Sequence, residues 1–186
     1  MRWFAYNGDA DGICSMVQWG LVHGIDGNRI TGVKRDIELL GKINPEPGNE
    51  IIVMDISLAR NHDTARKYAE KGVSIKWFDH HLEGQNIPGI ESHIDTSSNT
   101  CTARIVENYL QKKSDWAQVA LHGDGLSQHS DSQDLNELGE LLNYNGYGSD
   151  LSDLHLHQDD LLLSCLSDKT PEEFMKSSEY AKLKHG

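Results

Sequence analysis

IIVMDISLARNHDTARKYAEKGVSIKWFDHH, residues 51–81, reads as a strand, a helix and a second strand. IIVMDIS (51–57) is a continuous apolar, largely β-branched run, the pattern of a strand buried on both faces. ARNHDTARKYAEKG (59–72) sets Ala and Tyr among charges at helical spacing and stops at Gly72. VSIKWFDHH (73–81) is strand-like again and ends in an acid and two histidines. A strand that runs parallel to its predecessor needs a crossover, most often a helix, and that crossover is right-handed. The stretch therefore predicts an α/β fold built on a parallel sheet with flanking helices.

Toward the N-terminus, Arg2 to Tyr6 is a short apolar run that opens into the polar loop NGDADG (7–12). ICSMVQWGLV (13–22) predicts a helix ending near Gly24, Arg29 to Val33 a second strand, and NPEPGNE (44–50) a turn. Toward the C-terminus, Ile87 to Ile94 adds a strand and TCTARIVENYLQ (100–111) a helix. From Asp115 onward the pattern is helical: DWAQVALHG, LNELGELLNY, DLLLSCL and PEEFMKSSEYAKLK. The last of these reads as one amphipathic helix docking on the domain or on a neighbouring subunit, which would make a homo-oligomer. GDGLSQHSDSQ (123–133) is an irregular linker. The expected organisation is a sheet domain over residues 1–126 and a helical extension over 127–186 packed on it.

The formal net charge is −12, with Lys and Arg scattered rather than gathered into a stripe. That excludes the electrostatic footprint of a protein binding long nucleic acid. Cys14, Cys101 and Cys165 stand far apart and form no CxxC pair, which suits a reducing cytoplasm and argues against a disulfide framework or a thiolate zinc site. No apolar run approaches the roughly 18 residues of a membrane span, and MRWFAYNGD lacks the apolar stretch of a secretion signal. A cytoplasmic location is expected.

The chemistry-bearing residues fall at element ends. Asp9 and Asp11 follow the first strand, Asp55 ends IIVMD, Asp79, His80 and His81 end VSIKWF, and Asp124 follows VALHG. Ligands of open parallel sheets bind beyond the carboxyl ends of the strands, where the first three segments deliver their acids. Buried carboxylates in such number need compensating cations. Carboxylates with imidazole and no thiolate suit Mn²⁺ or Mg²⁺ ahead of Zn²⁺ or Co²⁺. The number of acids suits two divalent ions bridged by Asp55, with a water activated between them for in-line attack on phosphorus. NGDADGICSMVQ also offers the first positions of an EF-hand loop, but its twelfth residue is Gln18 instead of Glu and RWFAY before it is a strand. The plainer reading of Asp9 and Asp11 is a turn capping the following helix. His122 and Cys14 read as structural, and DLHLHQDD (153–160) as a polar loop entering a helix.

NGDADGICS, IIVMDIS, FDHHLEG and the acid of LHGDG stand in the order and spacing of the DHH phosphoesterase superfamily, which the chain resembles over residues 2 to about 126. That superfamily includes RecJ-type single-strand exonucleases, phosphodiesterases of small oligonucleotides and cyclic dinucleotides, and a class of pyrophosphatases. The resemblance implies that Asp9, Asp11, Asp55, His80 and Asp124 ligate two divalent ions, with Mn²⁺ expected. Asp79 is implied as a further ligand or as the partner that fixes the histidines. His81 is implied as the residue that contacts the phosphate or assists the leaving group, or as another ligand. Thr100 and Thr102, opening a helix, would offer hydroxyl and N–H groups to a phosphate. Asn7 stands where the superfamily often has His, and would ligate or orient through its amide. A glycine-rich GGGH-type motif found further along many members has no match here, since NYNGYGSD differs from it. The chain thus reads as the catalytic part of a longer protein or as a minimal relative. The implied activity is hydrolysis of a phosphodiester or phosphoanhydride in a small nucleotide or short oligonucleotide. The alternative is a weak or inactive module that holds metal or nucleotide, or serves in an assembly.

Overall fold

The computed structural model describes residues 1–148, 154 and 156–185. Five strands form one sheet: β1 Arg2–Asn7, β2 Asn28–Gly32, β3 Glu50–Met54, β4 Ser74–Asp79 and β5 Ile90–Ile94. Their order is β2-β1-β3-β4-β5, and every neighbouring pair is parallel. The chain leaves β1 toward β2 on one side and later returns to β3 on the other. The resulting crevice at the carboxyl ends of β1 and β3 is the topological switch point of the sheet.

Among the described residues, eight α-helices lie between and after the strands: α1 Ala10–His23, α2 His62–Glu70, α3 Thr102–Leu110, α4 Asp115–Gly123, α5 Asn136–Asn145, α6 Gln158–Asp168, α7 Pro171–Phe174 and α8 Ser178–His185. The period-two alternation of the strands divides the core between the two faces. Phe4, Tyr6, Ile52, Met54 and Phe78 face α1, α3, α4 and the later helices, while Ala5, Ile51, Val53, Ile75 and Trp77 face α2 and the turn at Leu39 and Leu40. Ala10 through Trp19 are all buried, so α1 is a central helix covered by α3, α4 and α6. Leu138, Leu142, Leu161, Leu162, Phe174 and Leu183 join the first of these cores, which places the later helices against α1 and α4. An ion pair ties α6 to the sheet edge: Arg29 donates to both oxygens of Asp159 (2.8 and 3.1 Å), and the Tyr6 hydroxyl donates to the same carboxylate at 2.9 Å.

Several boundaries differ from the expectation. The strand read as 51–57 ends at Met54, because Asp55 turns into the left-handed region (φ 64°). The strand read through 81 ends at Asp79, and His80 and His81 lie in the loop after it. PEEFMKSSEYAKLK is two helices rather than one. The Ser177 hydroxyl donates to the Phe174 carbonyl at 2.6 Å and accepts from the Tyr180 N–H at 3.2 Å, which closes α7 and opens α8. Of DLHLHQDD, Asp153 and His155 lie outside the described residues; His157 caps α6, its Nδ1 accepting the Asp159 N–H at 3.1 Å. Among the described residues no helix is long and apolar enough to cross a membrane.

Candidate metal centre

β1 ends at Asn7, and Asp9 caps α1 by accepting the Gly12 N–H at 2.9 Å. Gly12 is required there, since any side chain would collide with the Asn7 carbonyl. The capping reading of Asp9 therefore holds, but it uses only one oxygen. The other, Oδ2, accepts from the Lys34 ammonium at 2.8 Å. The turn preceding an EF-hand helix is excluded, because the loop follows a sheet strand and Gln18 is buried, donating to the Ala103 carbonyl at 3.0 Å.

Asp11, one residue into α1, is wholly buried. Its two oxygens accept the N–H groups of Thr102 and Ala103 at 3.0 and 2.8 Å, so this carboxylate sits on the N-terminus of α3. Asp55 is fixed by its own N–H donating to the Phe78 carbonyl (2.9 Å) and by the Trp77 indole N–H donating to the Ile56 carbonyl (2.7 Å). Its Oδ1 accepts the Thr102 hydroxyl at 2.9 Å. Asp124 caps the C-terminus of α4. His80 links these segments: its Nε2 lies 3.3 Å from Asp11 Oδ2, 3.3 Å from Asp55 Oδ1 and 3.5 Å from Asp124 Oδ2.

Asp11, His80 and Asp124, and likewise Asp55, His80 and His81, present potential ligand atoms within 4.8 Å of one another. The shared His80 makes these two sets overlapping halves of one centre. Asp79 is buried beneath it, and its Oδ1 holds His81 Nδ1 at 2.6 Å. Its Oδ2 is buried without a hydrogen-bond partner among the described residues. Asp79 thus orients His81, while the ring itself is half-exposed.

Two residues expected at a phosphate have other surroundings. Thr102 spends its N–H and hydroxyl on Asp11 and Asp55. Thr100 closes a turn, its N–H donating to the Ser97 carbonyl at 3.4 Å, and among the described residues it makes no hydrogen bond to the cluster. Asn7 is buried, its amide donating to the Lys34 carbonyl (2.9 Å) and its Oδ1 accepting the Asp9 N–H (3.0 Å). His122 is structural, donating from Nε2 to the Ser132 carbonyl at 2.7 Å and pairing Nδ1 with Ser127. Lys34, two residues past β2, is a site residue that the sequence reading did not single out.

The electrostatics follow from crowding. Burial, with repulsion from neighbouring Asp residues, pushes the Asp55 carboxyl far up, raises Asp11 against the pull of His80, and takes Asp124 up to about 9. Burial also acts on Asp9, but the Lys34 ammonium outweighs it and holds this carboxyl below the ordinary range. The hydrogen bond to Asp79 raises His81 above the usual imidazole value, against a smaller opposing effect of its partial desolvation. Carboxylates held this close in an apolar setting are the donor set for which a hard divalent cation is the natural counter-charge. A cavity of about 670 Å³ opens elsewhere, between Gln18, Leu110, Trp116 and Pro171, and contains none of these acids.

No family model and no curated protein matches the chain. Solved structures resemble it over nearly its whole length. An exonuclease RecJ bound to manganese matches with a TM-score of 0.56 at 16% identity, covering 99% of this chain and 59% of that one. The pGpG-specific phosphodiesterase PggH from Vibrio cholerae gives 0.56 at 15% identity, covering 98% and 58%. An uncharacterized protein from Helicobacter pylori G27 gives 0.55 at 19% identity, covering 99% and 60%. The chain thus spans about three fifths of these structures, and the likeness is one of fold: an α/β architecture built on a parallel sheet.

Proposed function

We propose that the chain is a metal-dependent phosphoesterase that hydrolyses a phosphodiester or phosphoanhydride bond in a small nucleotide or short oligonucleotide. The observation that carries this reading is the convergence on His80 Nε2 of three carboxylates, Asp11, Asp55 and Asp124, from three separate segments at the carboxyl edge of the sheet. Support from the fold is general: one structural neighbour is an exonuclease bound to manganese, another a pGpG-specific phosphodiesterase.

On this reading Asp11, Asp55, His80 and Asp124 hold the cation, with Mn²⁺ the best match to the donors and Mg²⁺ or Co²⁺ able to use the same set. A divalent ion there supplies Lewis acidity to a phosphoryl oxygen and lowers the pKa of a nucleophilic water. Thr102 fixes Asp11 and Asp55 so that their oxygens stay aimed at the crevice. Asp79 holds Nδ1 of His81, which leaves Nε2 to carry a proton to the leaving oxygen. The same contact favours the protonated form of the ring. The acidic surface restricts the substrate to a short, ion-bound phosphoester, because a long polyanion meets a net charge of −12.

The test is Mn²⁺-dependent hydrolysis of an activated phosphodiester by the wild type, Asp55→Ala and His81→Ala. The reading expects turnover by the wild type and a loss of about 10²-fold or more in each variant. Equal rates in all three contradict it. A wild type that is stabilised by Mn²⁺ yet inactive on varied phosphoesters would point to the non-catalytic binding module.

A further inference from the structure

We infer that Lys34 is a built-in cation of this centre: its ammonium takes the place of a second metal ion at Asp9, so that the chain binds one divalent ion through Asp11, Asp55, His80 and Asp124. The inference rests on the phosphoesterase reading of the crevice and specifies its metal content. It departs from the two-ion centre that the sequence led us to expect.

Lys34 is held at both its backbone and its side chain. Its N–H donates to the Gly146 carbonyl at 2.8 Å, and its own carbonyl accepts the Asn7 amide at 2.9 Å. The ammonium then reaches Asp9 Oδ2 at 2.8 Å and Asn143 Oδ1 at 3.1 Å, and lies 5.7 Å from the centre of the Tyr147 ring. These contacts come from the loop after β1, from α5 and from the segment after α5. Together they fix a long flexible side chain at one point.

The acid that would receive a second ion already has a cation against it. Asp9 accepts from Gly12 with one oxygen and from Lys34 with the other. Asn7 uses its amide nitrogen on the Lys34 carbonyl and its oxygen on the Asp9 N–H, so it braces the lysine instead of facing a metal. A histidine at that position would have no amide to do this. Among the described residues, the groups with metal-holding geometry draw on Asp11, Asp55, His80, His81 and Asp124, and neither includes Asp9.

Charge leads to the same result. A divalent ion on Asp9 would repel an ammonium that shares the same carboxylate, so the two compete for one place. Lysine is a compact point charge suited to phosphate as well as carboxylate. Placed at Asp9, it lends the crevice a fixed positive charge whatever the metal supply.

The decisive experiment counts Mn²⁺ per chain by equilibrium dialysis and reads the low-temperature EPR spectrum of the bound ion. The wild type is expected to hold one ion per chain with the spectrum of an isolated Mn²⁺. The double variant Asn7→His, Lys34→Met is expected to hold two, with the signature of a coupled pair. Two coupled ions in the wild type would overturn the inference while leaving the phosphoesterase reading intact. A single ion in a folded double variant would also overturn it. No bound ion in the wild type would defeat both readings. The wild-type count is informative even if the double variant fails to fold.

Discussion

His80 Nε2 stands 3.3 Å from Asp55 Oδ1, and Asp55 reaches it from a left-handed backbone conformation with φ at 64°. A non-glycine residue in that region costs on the order of 1 kcal/mol, least for Asp and Asn. The same carboxylate is buried among like charges, which pushes its pKa far up. The fold thus bears two local penalties to place one oxygen against His80. Asp55→Asn tests this directly, since Asn tolerates the backbone and its amide oxygen can still accept from Thr102. We expect the metal-free variant to melt above the metal-free wild type, by the equivalent of about 1 kcal/mol or more. Its stabilisation by Mn²⁺ should be largely lost. Thermal melts with and without Mn²⁺ check both halves, and a variant less stable than wild type without metal would count against the account.

The Asp79 contact at 2.6 Å raises the pKa of His81. If His81 gives a proton to the leaving oxygen, activity falls as pH rises through that elevated value. Asp79→Asn should move this alkaline limb to lower pH and reduce kcat, while leaving Mn²⁺ affinity close to wild type. A pH profile of kcat/KM reads the shift. An unmoved limb would remove His81 from the proton transfer.

Metal-free stability should depend on pH in the direction opposite to ordinary salt-bridged acids. Burial raises the Asp124 carboxyl to about 9, against about 3.9 in an unfolded chain. Between those values the native state keeps a proton that the unfolded state has released, so stability falls as pH rises across the window and levels off above it. Saturating Mn²⁺ should flatten or invert the slope, because the ion selects the ionised ligands. Urea unfolding across the window, with Mn²⁺ or with chelator, measures it. A metal-free stability that climbs through the window would contradict the assignment of a crowded acid cluster.

Asp159 holds α6 to the sheet edge through Arg29 and the Tyr6 hydroxyl, and Arg29 outweighs burial to keep its pKa low. Asp159→Ala leaves a part-buried guanidinium and a buried hydroxyl without their acceptor. We expect a loss of about 1–3 kcal/mol in urea unfolding, with little change in Mn²⁺ binding. A neutral effect on stability would show that α6 is retained by its apolar contacts alone.

The convergence of these acids was legible because each lies beside an end of a strand or helix with a readable pattern. IIVMD, VSIKWFD and VALHGD mark these elements to within a few residues of their ends, and a parallel sheet brings its carboxyl ends together. Lys34 gave no comparable sign, being a single lysine past a short edge strand. Its nearness to Asp9 depends on β2 pairing with β1 in the register Asn7 to Gly32, which no local pattern encodes. Thr102 read as a phosphate donor because its position at the start of α3 was clear, whereas the carboxylates that take its hydrogen bonds arrive from residues far away in sequence. The split of the final helix at Ser177 escaped the hydrophobic pattern because Phe174, Tyr180 and Leu183 keep an apolar face across the break.

The most direct test of the central claim is anomalous diffraction at the manganese edge from crystals grown with Mn²⁺. The account predicts a peak within bonding distance of His80 Nε2 and of carboxylate oxygens of Asp11, Asp55 and Asp124. Strong manganese peaks elsewhere, with none at His80, would contradict it.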